Sequence, residues 1–131
     1  MLVVGGFLAA VTRAEAAPGR GLGLFQDYIE PILQKNCYRC HSHEAKKAKG
    51  GLVLDSRRAI LRGGDSGPAM VMGKPDRSRL MNAIGYGNDD LQMPPDGKLS
   101  EVDIRHIREW ITLGGQHTNE GTAQTNGQGP G

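Results

Sequence analysis

Two cysteines and a histidine stand within five residues of one another, in the run Cys37-Tyr38-Arg39-Cys40-His41. The Cys-x-x-Cys-His spacing is the pattern of covalent haem attachment. Two thiols separated by one short turn can add to the vinyl groups of neighbouring pyrroles, and the histidine that follows can then coordinate the iron. The motif predicts one covalent haem c, with thioether bonds at Cys37 and Cys40 and His41 as the proximal iron ligand.

Two other uses of the cysteine pair are open at this level. A thioredoxin-like dithiol would follow a strand and begin a helix, and no strand pattern precedes Cys37. A structural zinc ion needs four ligands, which His43, His106 or His117 could complete. However, the sequence places His43 on the solvated surface, His106 on the flank of the last helix and His117 in a disordered tail. The residues therefore favour haem.

A second axial ligand is the next requirement, because an electron-transfer haem commonly has both axial positions filled, often by His and Met. Met93 is followed by two prolines, which confine it to extended backbone and stiffen the segment. A ligand on such a strap loses little entropy on binding, so we predict Met93 as the distal iron ligand. Met81 has the spacing of a core residue, and Met70 and Met72 follow a proline in a loop where they could pack over a haem edge.

The elements that must position these residues are helical. The first helix is predicted over about 24–35, with an interruption at Pro31. Shorter helices are predicted from an Asp55 cap to about residue 61 and from Asp76 to about residue 84. The last helix begins at a Ser100 cap and ends at Gly114. The apolar faces of the first and last helices should pack together. With no convincing strand pattern, the fold class is all-α with long loops.

The two ends of the chain have a different composition from the middle. Residues 1–17 contain about ten apolar residues before a small-x-small site, which predicts a secretory signal peptide and export to the periplasm or an equivalent compartment. That stretch is too short to span a membrane. Residues 116–131 have no aliphatic side chain larger than alanine and are predicted to be a disordered tail. The folded domain should therefore cover residues 21–115.

The amino-acid composition argues against nucleic-acid binding and favours a buried cofactor. Sixteen Lys and Arg residues against fourteen Asp and Glu give a formal charge of +2, without a basic stripe, so nucleic-acid binding is not expected. The chain has one Trp, three Tyr and two Phe in 131 residues. A core with so few bulky side chains gains from a buried cofactor.

Beyond the haem motif, the chain contains a set of short sequence blocks in a fixed order. They are Phe25, Ile32-Leu33, Cys37 to His41, Gly50-Gly51-Leu52, Leu54-Asp55-Ser56, Gly63 to Pro68, Met93-Pro94-Pro95, Lys98-Leu99-Ser100 and Trp110-Ile111. Together these blocks resemble the Planctomycete-type cytochrome c domain, a member of the class I cytochrome c fold. The resemblance implies a small bundle of three to five helices around one covalently attached haem. It also implies thioether bonds at Cys37 and Cys40 and axial ligation by His41 and Met93.

Two further residues are candidates for contact with the haem edge. Trp110 either packs between the first and last helices, which its spacing favours, or reaches a haem propionate with its N–H. Ser66, in the glycine-rich loop 63–67, either lies along the haem edge or belongs to a plain surface loop. Both residues enter the candidate site on this basis.

These features favour an electron carrier or relay over an enzyme with its own substrate. The alternative is a catalytic or ligand-sensing haem, which requires a distal ligand that is easily displaced. The expected partner is a redox protein of unspecified identity. Lys46, Lys47 and Lys49 could steer an acidic partner, although a solvated loop explains them as well.

Overall fold

The computed structural model describes residues 18–44 and 49–121. Within these residues the chain is helical, without a β-strand beyond one isolated bridge between Gly64 and Gly67. The helices are α1 (Pro18–Leu24), a π-helical turn (Phe25–Ile29), α2 (Glu30–Asn36), α3 (Arg57–Arg62), α4 (Arg79–Ile84) and α5 (Glu101–Thr112), with 3₁₀ turns at Lys49–Gly51 and Pro75–Arg77. The all-α prediction is confirmed.

The first helical run starts earlier than its sequence pattern suggests. The pattern predicts a start near Leu24, because glycines at 19, 21 and 23 disfavour a helix. In the structure α1 begins at Pro18, and it is stabilised by packing on α5. Arg20 pairs with Glu109 at 2.9 Å. Gly21 lies so close to Gln116 that an added Cβ would stand 3.0 Å from the Gln116 Cγ.

The interruption predicted at Pro31 takes the form of a π-helical turn just before it. The Glu30 N–H donates to the Phe25 carbonyl, five residues back, whereas in an α-helix it would donate to the carbonyl four residues back. Pro31 then lies in the first turn of α2, where its missing N–H costs least. The wider turn therefore carries the proline without breaking the helical run.

The first and last helices meet in the middle of the core, as the sequence predicts. Phe25 and Trp110 are both fully buried, with ring centroids 5.8 Å apart. Ile29 comes from the same π-helical turn, and Ile107 and Ile111 come from α5; all three are buried. At roughly 1.5–3 kcal/mol for each fully buried large apolar side chain, this contact is a main source of the fold's stability.

The ends of the helices are capped mostly as predicted, with one correction. The Ser100 hydroxyl accepts the Asp103 N–H at 3.1 Å, and Gly114 follows α5 with a φ of 106°. The α3 cap is Ser56 rather than the predicted Asp55, because the Ser56 hydroxyl accepts the Ala59 N–H at 3.2 Å. The Asp55 carboxylate instead accepts the backbone N–H of His43 at 2.8 Å.

The predicted boundary of the disordered tail is wrong for residues 116–121. The Trp110 indole N–H donates to the Gln116 carbonyl at 2.6 Å. His117 is 5% exposed, and its ring lies 4.2 Å from the Phe25 ring between centroids. Composition does not reveal this packing, because the segment is held by hydrogen bonds and one aromatic ring rather than by aliphatic side chains.

Residues 1–17, with the predicted signal peptide, and residues 122–131 of the predicted tail lie outside the described residues. In the part of the chain that the structure describes, the helices are all too short or too polar to cross a membrane.

Candidate functional site

The two cysteines and His41 form a single turn directly after α2. The Cys37 N–H donates to the Leu33 carbonyl at 2.8 Å, and the Cys37 carbonyl accepts the N–H groups of Cys40 at 3.1 Å and His41 at 2.9 Å. Both thiols are partly buried and are not joined in a disulfide. The end of α2 thus presents two sulfurs and one imidazole to the same cavity.

The His41 ring is oriented by a backbone carbonyl. Its Nδ1 lies 3.2 Å from the Leu52 oxygen. A carbonyl oxygen can only accept a hydrogen bond, so the proton stands on Nδ1 and the lone pair of Nε2 is left for a metal. The Leu54 N–H also donates to the His41 carbonyl at 2.8 Å. The segment 52–54 therefore holds both the backbone and the ring of His41, as is typical of metal-ligating histidines.

The cavity that these groups face has a volume of about 710 Å³. This lies within the range of about 300–1,000 Å³ that is common for cofactor sites. Much of its lining is apolar, and Met93 lies in the same lining as His41 and the two cysteines. The aliphatic residues that line it are Leu52, Leu54, Ala69, Leu80, Ala83, Ile84 and Leu91.

Two hydrogen bonds hold Met93 at the cavity. One joins Met93 to α4, and the other joins Pro94 to the turn after α4. The Met93 N–H donates to the Ala83 carbonyl at 3.1 Å. The Tyr86 hydroxyl donates to the Pro94 carbonyl, and the peptide bond between Met93 and Pro94 is cis. The predicted strap is therefore present, with Tyr86 as a support.

The other described methionines do not line the cavity. Met81 is buried in the hydrophobic core, which confirms its predicted packing role. Met70 is 1% exposed and belongs to the same core, whereas Met72 is exposed beside the Arg57 guanidinium. Met93 is thus the thioether that the fold brings to the site.

Comparison with known families agrees with this geometry. Residues 37–97 match the family model described as Planctomycete cytochrome C. This part of the chain is therefore similar to a Planctomycete cytochrome C domain. No curated protein and no solved structure matches the chain significantly. The cytochrome c domain supports a haem-binding, electron-transfer role, and the match begins at Cys37, so the first and last helices lie outside it.

The chemistry of the cavity fits a haem. Its donors are two thiols, one imidazole with a free Nε2 and one thioether, set among aliphatic side chains. These are the groups that a c-type haem uses for covalent attachment and axial ligation. The loop 64–67 lines the same cavity and places Ser66 there.

Trp110 is not part of the cavity lining. It is fully buried between helices. Its indole N–H donates to the Gln116 carbonyl at 2.6 Å. The interpretation of Trp110 as a haem-edge contact is therefore wrong, and its packing interpretation holds. The reason is the ordered segment after α5, whose Gln116 carbonyl accepts the indole N–H.

The competing uses of the cysteines find little support in the structure. Burial raises the pKa of the Cys37 thiol to about 11, whereas a redox-active dithiol needs a low thiol pKa. His43 pairs with Asp55 at 2.7 Å, and His106 stacks on Tyr28. In residues 18–44 and 49–121, no three His, Cys, Asp or Glu side chains are grouped to hold a metal ion.

Two contributors to the candidate site could not be identified from the sequence. The Leu52 carbonyl that holds the His41 ring has no side-chain signature, because every residue carries the same acceptor. Tyr86 stands between Gly85 and Gly87 and has a φ of 58°, a left-handed conformation uncommon for residues other than glycine. The flanking glycines indicate an irregular turn, but only the fold shows that the hydroxyl reaches Pro94.

Proposed function

We propose that this protein is an exported c-type cytochrome that carries single electrons on one covalently attached haem. Cys37 and Cys40 form the thioether bonds, His41 is the proximal iron ligand and Met93 is the distal ligand. The observation that carries the proposal is the shared cavity, because all four side chains line it while the His41 Nε2 is free to bind iron.

When bound, the haem supplies an iron that alternates between the ferrous and ferric states. The protein controls which state is favoured. Its aliphatic lining disfavours the additional charge of the ferric form, and a thioether ligand such as Met93 raises the potential further. The Leu52 carbonyl acts in the opposite direction, because a hydrogen bond from Nδ1 increases the basicity of the imidazole.

The cations around the cavity divide into two groups. Lys35 and Arg39 flank Cys37 in sequence, and Arg39 pairs with Asp96 at 3.6 Å, two residues before Lys98. The Lys49 N–H donates to the Cys40 carbonyl at 3.1 Å. These four residues therefore belong to the cysteine edge of the cavity, and they are Lys35, Arg39, Lys49 and Lys98.

Arg79 belongs to a different part of the lining. It precedes Leu80, whose N–H donates to the Ala69 carbonyl at 2.9 Å, next to the loop that carries Ser66. The vinyl groups of a haem lie on one pair of neighbouring pyrroles and its propionates on the other pair, so propionates point away from the cysteines. We therefore assign the binding of a propionate to Arg79, with support from Ser66.

The cysteine edge is the face we assign to the redox partner. Two of its four cations form ion pairs, Arg39 with Asp96 at 3.6 Å and Lys98 with Glu101 at 3.7 Å, which leaves Lys35 and Lys49 without a salt bridge among the described residues. This charge would favour encounter with a redox protein that has an acidic surface. Lys46 and Lys47, which the sequence places in the same loop as Lys49, lie outside the described residues.

Export is supported by two features of residues 1–17, an apolar stretch and a small-x-small site, which are typical of a secretory signal, although no basic side chain precedes the apolar stretch. A leader of this kind would deliver the chain to a compartment outside the cytoplasm. Fusion of residues 1–17 to a reporter that is active only after export tests this part of the proposal, and a cytoplasmic reporter would contradict it.

The alternative function is a catalytic or ligand-sensing haem, in which a small molecule displaces Met93 from the iron. Met93 is held through two hydrogen bonds of its segment, from its own N–H to the Ala83 carbonyl and from the Tyr86 hydroxyl to the Pro94 carbonyl. The site would then sense or activate a ligand at the vacated iron position. This alternative differs from the carrier in one measurable property, the rate at which an external ligand replaces Met93.

One experiment separates these functions. The full chain is produced in a host with haem-attachment machinery, and its mass and visible spectrum are recorded with and without carbon monoxide. The carrier predicts a mass increase of one haem and a reduced spectrum that carbon monoxide leaves unchanged. Rapid carbon monoxide binding at neutral pH supports the sensing alternative, and a chain without covalent haem contradicts both.

A further inference from the structure

Residues 114–121 form a segment that wraps around the outside of the loop holding His41; we name this segment the C-terminal clasp. It lies outside the matched cytochrome residues. It is hydrogen-bonded to Trp110 in α5 and to residues 54–58, and these residues come shortly after Leu52, whose carbonyl receives the His41 Nδ1–H. The same short stretch of chain is thus held from the cavity side by His41 and from the outside by the clasp.

The backbone of the clasp completes the N-terminus of α3. The first N–H groups of a helix have no partners within it. Here the N–H groups of Arg57 and Arg58 donate to the carbonyls of Asn119 and Glu120, both at 2.9 Å. The Arg57 guanidinium returns along the clasp and donates to the carbonyls of Gly115 at 3.0 Å and Gly114 at 2.9 Å.

His117 connects the clasp to the loop beside the cavity. Its Nε2 lies 3.3 Å from the Leu54 carbonyl, and its Nδ1 lies 3.0 Å from the Asn119 N, whose N–H it accepts. Because the carbonyl must accept and Nδ1 accepts as well, the ring is neutral with its proton on Nε2. Leu54 is 2% exposed, lines the cavity and donates its own N–H to His41.

From this arrangement we propose that His117 is a positioning residue for the proximal iron ligand, a role that rests on the proposed haem function. His117 holds the Leu54 carbonyl and so keeps the segment 52–54 against His41. The Leu52 carbonyl then stays in line with the His41 Nδ1–H. Since that hydrogen bond sets the basicity of the imidazole, the clasp tunes the reduction potential from outside the cytochrome motif.

The test uses the full haem-loaded chain with a matched pair of variants. His117→Leu keeps apolar packing on Phe25 but deletes both ring nitrogens. His106→Leu makes the same chemical change at a histidine that stacks on Tyr28 and does not line the cavity. The measurements are the reduction potential and the solvent exchange rate of the His41 Nδ1 proton in the ferrous protein, observed by nuclear magnetic resonance.

We expect His117→Leu to raise the reduction potential and to speed exchange of the Nδ1 proton, while His106→Leu leaves both unchanged. His117→Gln restores an amide N–H donor and should return both values toward those of the wild type. If His117→Leu lowers thermal stability but leaves the reduction potential and the proton exchange rate unchanged, the clasp only stabilises the fold and the inference is wrong. An equal change in His106→Leu also contradicts it.

A second variant keeps the test valid if His117→Leu does not fold. Asn119→Ala removes the 2.9 Å hydrogen bond from the Asn119 amide to the Asp55 carbonyl and changes an exposed side chain. It should shift the potential in the same direction by a smaller amount, and an unchanged potential contradicts the inference. A wild-type chain that carries no haem contradicts the proposed function instead, so the two failures are distinguishable.

Discussion

The Tyr86 hydroxyl donates a hydrogen bond to the carbonyl of Pro94, the residue directly after Met93. This contact joins the turn after α4 to the strap that carries the thioether. Together with the Met93 N–H, which donates to the Ala83 carbonyl at 3.1 Å, it fixes the strap at two successive residues. The Met93 side of the cavity is therefore organised by α4 and its C-terminal turn, as the His41 side is organised by segment 52–54.

Replacing Tyr86 with Phe should weaken ligation by Met93, because it removes one of the two hydrogen bonds that hold the strap. In ferric haem-loaded protein, the thioether–iron charge-transfer band should be lost at a lower pH than in the wild type. An alkaline titration followed by absorption measures this midpoint. Tyr28→Phe is the matched control, since Tyr28 is 48% exposed and stacks on His106. Equal midpoints for wild type and Tyr86→Phe would contradict the prediction.

Replacing Met93 with Ala should convert a six-coordinate spectrum into that of an iron with a weak or missing distal ligand. The reduced protein should then bind carbon monoxide rapidly, and the reduction potential should fall because the thioether is lost. Absorption spectroscopy and potentiometry measure both effects. Met72→Ala is the matched control, because Met72 is exposed and does not line the cavity. A Met93→Ala protein with the wild-type spectrum would rule out Met93 as the ligand.

Replacing Arg79 with Gln should lower the reduction potential. A positive charge near the iron destabilises the ferric state, so removal of that charge stabilises the ferric state relative to the ferrous state. The pH at which the potential changes through propionate ionisation should move upward, since the carboxylate loses its cationic partner. Potentiometry over a range of pH measures both shifts. Arg77→Gln changes an exposed arginine that does not line the cavity and should change neither. Identical profiles for the two variants would remove Arg79 from the propionate site.

The clasp should lose stability in mild acid. Burial, above all, lowers the pKa of His117 from its ordinary value of 6.5, against the opposing influence of the Leu54 carbonyl, Glu30, Asp55 and Glu120. The unfolded chain therefore binds the proton more readily, so the stabilising contribution is complete above pH 6.5 and is lost as the pH falls below it.

Comparison of the wild type with His117→Gln isolates this effect, because the glutamine does not titrate. The difference between their thermal midpoints should be constant above about pH 7 and should shrink as the pH falls toward 5. Circular dichroism at a series of pH values gives the midpoints. A difference that stays constant over the whole range would show that protonation of His117 does not control the clasp.

Local sequence determined the features that depend on neighbouring residues alone. The Cys37 to His41 turn forms from five consecutive residues, and its spacing is that of the haem motif whatever surrounds it. The α5 cap at Ser100 likewise needs only the N–H of Asp103. The two prolines after Met93 restrict that residue before any tertiary contact forms. Such features can be predicted because the groups that interact are close in the chain.

The tertiary structure decided what depends on distant partners. The glycine-rich start of α1 is helical because it packs on α5, and Trp110 turns away from the cavity because the Gln116 carbonyl accepts its indole N–H. His41 is oriented by Leu52, eleven residues on, and His117 reaches Leu54 across sixty-three residues. Backbone carbonyls have no residue-specific signature, and a polar segment becomes ordered only when the fold supplies acceptors and donors for it.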